Sequence, residues 1–77
     1  MAAEVTPVRI GLVGINDRVR RVIIKGLLAA PHAQLVAVCS RSAQKATATA
    51  AELPGVRPFI DYTTMLREAE IDAVFLC

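Results

Sequence analysis

Short apolar runs, set apart by helix-patterned stretches, leave this 77-residue chain few folds to choose from. Val8–Val13, Leu35–Cys39 and Ile71–Cys77 have strand length and are apolar almost throughout instead of alternating. A strand that is apolar on both sides must be covered on both sides, as in a parallel sheet flanked by helices. Val56–Ile60 is a further, weaker run, and Pro58, which cannot donate to a ladder, moves it toward the sheet edge.

The stretches between these runs read as helices. Asn16 or Asp17 can cap a helix reaching about Ala30. Its apolar stripe is Val19, Val22, Ile23, Gly26, Leu27 and Ala30, widened by Ile24 and Leu28, and Gly26 would let the helix approach a strand closely. Ser42 is the expected cap of an alanine-rich helix over Ala43–Leu53, broken by Pro54-Gly55. Asp61 or Thr63 opens a short helix to about Ala69, on which Tyr62 and Met65 pack or lie at the surface. The order is β-α-β-α-β-α-β. Right-handed crossovers favour the spatial order 3-2-1-4, half of a doubly wound α/β parallel sheet.

Composition excludes several classes. Nine basic against seven acidic residues, a net charge of +2, is too balanced for general nucleic-acid binding. No apolar run approaches the roughly 20 residues that span a bilayer, and Met1-Ala2-Ala3-Glu4 does not open a signal peptide. Cys39 and Cys77 end apolar runs and read as small hydrophobes of a reducing, cytoplasmic compartment. There is no C-x-x-C, and the single histidine, His32, follows a proline in a turn, so no metal site is expected.

The chemistry-bearing feature is the junction after the first strand. Gly14 ends that strand and a helical pattern follows, the layout that cradles a phosphate on free backbone N–H groups. Gly14-Ile15-Asn16-Asp17-Arg18-Val19 keeps the first glycine of G-x-G-x-x-G and replaces the other two by Asn16 and Val19. Asn tolerates left-handed backbone angles, so the turn can survive. Asp17 either caps the helix or competes with a phosphate for the same N–H groups, and Arg18 can offset its charge. At the end of the second strand, about 20 residues on, an acidic residue would accept from the adenosine ribose hydroxyls. Ser40-Arg41-Ser42 stands there, with Lys45 one helical turn later; a hydroxyl, a guanidinium and an ammonium suit a 2′-phosphate. A dinucleotide bound here would be NADP in preference to NAD. The cofactor-binding set is Gly14, Ile15, Asn16, Arg18, Val19, Ser40, Arg41 and Lys45.

The segments Val8–Gly14, Leu35–Arg41, Asp61-Tyr62 and Glu70–Leu76, in this order and spacing, resemble the N-terminal nucleotide-binding half of the Gfo/Idh/MocA oxidoreductases across nearly the whole chain. The resemblance implies a Rossmann-type fold, an NAD or NADP cofactor and redox chemistry on sugars, cyclitols or related carbonyl compounds. It places the catalytic lysine in a Glu-Lys-Pro motif beyond the fourth strand, so no catalytic residue is assigned among residues 1–77. These residues are expected to form one truncated N-terminal NAD(P)-binding domain, inactive by itself. Two other readings stay open. The altered turn suits a non-catalytic scaffold or self-association module, with a second copy or a missing C-terminal domain covering the fourth-strand edge. The same architecture could also hold coenzyme A or another nucleotide.

Overall fold

A computed structural model describes residues 7–16 and 18–76, and the side chains of residues 19 and 20 lie outside that description. Four parallel strands form one sheet in the order β3-β2-β1-β4, as the crossover rule requires. β1 is Val8–Val13, β2 Ala33–Cys39, β3 Arg57–Phe59 and β4 Ala73–Leu76; between them run α1 (Ile24–Ala29), α2 (Ala43–Ala51) and α3 (Tyr62–Glu68). β3, which carries Pro58, is an edge strand.

The sheet separates two apolar layers. On one face Leu12, Leu35 and Val38 meet Ile24 of α1 and Ala50 of α2. On the other, Val36, Ala37, Cys39 and Phe59 pack on Met65 and Ala69. Met65 is fully buried, so of the two side chains expected to pack or lie at the surface it is the packing one. Gly11 belongs to this second face, because a Cβ there would stand 2.9 Å from Ile71 Cδ1 and 3.0 Å from Met65 Cε. β1 and β2 pair Ile10 with Leu35 but Gly11 with Ala37, so one extra β2 residue is accommodated at Val36.

The first helix departs from the expected stripe. Val19–Ile23 is wound as a π-helix and continues directly into α1. Its i→i+5 bonding puts more residues in each turn, which rotates the following side chains relative to an α-helical stripe. Ile24 therefore becomes the buried residue, Ile23 and Leu27 pack at its flanks, and Val22 is left 60% exposed. Gly26 is exposed, with nothing within 4 Å of a Cβ placed there, so it serves no close approach to a strand.

The other helix ends follow their caps. Ser42 Oγ accepts from Lys45 N–H at 3.3 Å to begin α2. Asp61 Oδ2 accepts from Thr64 N–H at 3.1 Å and from its hydroxyl at 2.7 Å to begin α3. At the far end of α3, the Arg9 guanidinium reaches across from β1 and donates to the carbonyls of Glu70 at 2.7 Å and Ala69 at 3.1 Å. Asp72 completes this tie by accepting from Arg9 N–H at 2.9 Å.

Candidate functional site

The C-terminal ends of β1, β2 and β3 open onto one cleft of about 660 Å³. In an open parallel sheet, this edge is where backbone N–H groups and loop side chains are free to meet a ligand. Gly14 forms the floor. Its N–H donates to Cys39 O at 3.0 Å, extending the β1–β2 pairing by one step, and its φ of +95° is a conformation that side chains disfavour. The left-handed step of the turn is thus made at Gly14. Asn16 does not share it, since Glu70 alone has positive φ among the described non-glycine residues. Ile15 turns back into the core beside Leu12 and Leu35, while Asn16 is exposed.

The second wall is the loop after β2. Ser40 N–H donates to Phe59 O at 3.0 Å, and Ser40 Oγ accepts from Ser42 N–H at 3.2 Å. With Ser42 Oγ bound to Lys45 N–H, both serine hydroxyls are fixed as acceptors and keep their own protons to donate. Arg41 and Lys45 are exposed on the cleft, and no described carboxylate pairs with either. A guanidinium, an ammonium and a hydroxyl donor converging on an open cleft form an anion-binding arrangement.

The third wall comes from the end of β3. Ile60, Asp61 and Tyr62 line the cleft facing the serine–arginine loop. The hydrogen bonds from Thr64 hold the Asp61 carboxyl below the usual carboxylate range, so it is ionised at neutral pH. Cys39 lies at the base. Burial, helped by the nearby Asp61 charge, pushes its thiol above the ordinary value and makes it a poor nucleophile.

Six of the eight expected cofactor residues line this site. Gly14, Ile15, Ser40, Arg41 and Lys45 line the cleft, and Asn16 lines an adjoining groove that also includes Ile15, Ser42 and Lys45. Arg18 is exposed and lines neither. The side chain of Val19 and the whole of Asp17 lie outside the described residues, as does Cys77. Sequence reasoning misses the β3 wall, because it takes Asp61 only as a helix start. The available signal is its position just past a parallel strand, on the same sheet edge as Gly14 and Ser40.

Residues 8–77 match the Gfo/Idh/MocA family, described as an oxidoreductase family with an NAD-binding Rossmann fold. This chain belongs to that family. It is 38% identical, over 72 residues, to dTDP-3,4-didehydro-2,6-dideoxy-alpha-D-glucose 3-reductase of Streptomyces violaceoruber, covering 94% of this chain and 21% of the relative. Among solved structures, a 3-ketoreductase from Actinomadura kijaniata in complex with TDP-benzene and NADP superposes with a TM-score of 0.82 at 28% identity, covering 92% of this chain and 22% of that one. D-galactose-1-dehydrogenase from Rhizobium etli gives 0.79 at 26% identity, covering all of this chain and 23% of that one. The chain thus spans about a fifth of the length of these relatives. No helix among the described residues is long and apolar enough to cross a membrane.

Proposed function

We propose that this chain is the NADP-holding part of a sugar oxidoreductase, and that the groups performing hydride transfer to a sugar or cyclitol-like carbonyl belong to other parts of that protein. The observation carrying this reading is the convergence of the Gly14 turn with Ser40, Arg41 and Lys45 on one cleft. Gly14 leaves room for the pyrophosphate beside the backbone. Arg41, Lys45 and the Ser40 hydroxyl hold the 2′-phosphate, where NAD would offer them only a ribose hydroxyl. Asn16, Arg18 and Val19 complete the proposed contact set around the altered turn. The cofactor supplies the hydride when bound; the residues here supply grip, orientation and choice of dinucleotide.

Equilibrium titration with NADPH and NADH, read by nicotinamide fluorescence, tests this. Arg41→Asp should weaken NADPH by about tenfold or more, the scale of a lost charge-assisted hydrogen bond, and change NADH little. Equal effects on both would remove the 2′-phosphate role of Arg41, and absence of saturable binding to the unsubstituted protein would refute the cofactor reading.

A self-association reading rests on a separate observation. Among the described residues β4 pairs on one side only, with β1, and Leu76 on it is 71% exposed. Sedimentation velocity across a wide concentration range decides it, and a single monomeric species would count against it.

A further inference from the structure

Charge on this chain is nearly balanced in total but sharply divided in space. Between Asp17 and Glu52 there is no acidic residue, while Arg18, Arg20, Arg21, Lys25, Arg41 and Lys45 all stand there. Residues 52–77 carry five acidic residues against Arg57 and Arg67. The sheet keeps the two groups apart, because α1 and α2 cover one of its faces and α3 the other. The basic residues are also gathered toward the cleft. Each helix begins where a strand ends, and the last cations fall at Lys25 and Lys45, before the helix ends at Ala29 and Ala51. Arg41 and Lys45 line the cleft itself. Arg21 and Lys25 line neither the cleft nor the adjoining groove, yet both are exposed, and no hydrogen bond or ion pair among the described residues engages them. At a rise of about 1.5 Å per residue, Lys25 stands about 10 Å or less from the start of its helix at Val19. That is about one Debye length at physiological ionic strength and well within one at about 10 mM.

Resting on the NADP reading above, we propose that Arg21 and Lys25 are an electrostatic guide, which attracts the polyanionic dinucleotide toward the cleft and makes no contact with it once bound. A charge that never touches the ligand favours its approach. It therefore raises the association rate and leaves dissociation to the contacts inside the cleft. The attraction grows with the charge of the ligand. NADPH carries a phosphomonoester that NADH lacks, close to two further negative charges, so the guide favours NADPH in rate where Arg41 favours it in grip. The acidic layer on the α3 face repels the same ligand, so the two layers together direct its approach to the α1–α2 side.

The test is stopped-flow mixing of the intact protein with NADPH or NADH, followed by nicotinamide fluorescence, with dissociation measured by displacement with excess NADP. Three paired variants are compared: Arg21→Ala with Lys25→Ala, Arg21→Glu with Lys25→Glu, and the charge-keeping Arg21→Lys with Lys25→Arg. Thermal unfolding checks that each is folded. At about 10 mM ionic strength the alanine pair should slow NADPH association about fivefold and the glutamate pair about twentyfold, within the range that steering supplies. NADH association should fall only about twofold with the alanine pair, since its charge is smaller. Dissociation should change by less than about twofold, the differences should vanish at about 0.5 M salt, and the charge-keeping pair should match the unsubstituted protein. NADPH association unchanged by the glutamate pair at low salt, a loss confined to the dissociation rate, or a loss that persists at high salt would overturn the guide and leave the cofactor reading intact. Failure of the unsubstituted protein to bind either dinucleotide would overturn both.

Discussion

Gly11 is the glycine at which an added carbon would meet packed side chains, so Gly11→Ala tests how tightly β1 lies against α3. A Cβ there meets Ile71 Cδ1 at 2.9 Å, Met65 Cε at 3.0 Å and Met65 Sδ at 3.2 Å. Carbon atoms settle at about 3.5–4.0 Å, so each neighbour must retreat by several tenths of an ångström. Ile71 is half-buried and can turn its terminal methyl aside, but Met65 is fully buried between the sheet and α3. Overpacking of this kind costs about 1–3 kcal/mol. Gly11 lacks a positive φ, so alanine also gains about 0.5–1 kcal/mol over glycine from reduced unfolded-state entropy. The net expectation for Gly11→Ala is a loss of about 1 kcal/mol. With a urea m-value of about 1 kcal/mol/M for a domain of this size, the midpoint falls by about 1 M. Gly11→Val, with two further carbons to place, should lose about 3 kcal/mol. Met65→Ala is the control: alone it opens a cavity costing about 2–5 kcal/mol, but combined with Gly11→Ala it also relieves the clash and must cost less. Urea unfolding of the unsubstituted protein, both single variants and the double variant gives the coupling. If Gly11→Ala is neutral or stabilising, or if the two changes are additive, the packing of β1 against α3 through Gly11 is refuted.

Three other outcomes follow from the same contacts. Gly14→Ala forces a side chain into φ +95°, so thermal unfolding should report a loss of about 1–3 kcal/mol, and NADPH binding should weaken at the same time. Arg9→Ala strips the donors from the Ala69 and Glu70 carbonyls and should cost about 1–2 kcal/mol, seen as a fall in Tm of several degrees, with Arg9→Lys recovering only part. Asp61 has its folded-state pKa lowered by Thr64; its contribution is therefore fully present above the unfolded-state pKa and is lost as pH falls through the lower folded value. Asp61→Asn, still able to cap α3, should leave stability near pH 7 almost unchanged and flatten the acid side of a stability–pH curve measured from about pH 6 to about pH 2.

What could be read without the structure divides along physical lines. Strand order was legible because the apolar runs, the helical spacers and the right-handed crossover together admit few sheets. Ser42 and Asp61 were legible as caps because their hydrogen bonds are local, three residues long in each case. The buried side of the first helix was legible only in part, because an α-helical period does not describe a segment that winds as a π-helix: Ile24, expected only to widen the stripe, is its buried residue, and Val22 is left exposed. Gly14, Ser40, Arg41 and Lys45 could be proposed from position along the chain. The wall formed by Ile60 and Tyr62 could not, since it depends on Cys39 standing opposite Phe59, a cross-strand register that no local pattern encodes. Arg9 is silent in the sequence for a similar reason: its partners lie about 60 residues away.

The extra residue at Val36 does more than interrupt a ladder. Val36 and Ala37, neighbours in sequence, both contribute to the layer that holds Met65, whereas Leu35 and Val38 contribute to the opposite one. Alternation is thus broken once and resumes one residue out of step, which changes which side chain is last to leave the sheet. Val13 ends β1 opposite Cys39 because of that slip; an unbroken ladder would have set Val38 there and carried Ser40 and Arg41 one residue farther past the glycine turn. The bulge acts as a length adjustment in the middle of β2, and the alignment of the two loops that meet at the cleft is decided several residues before either loop begins.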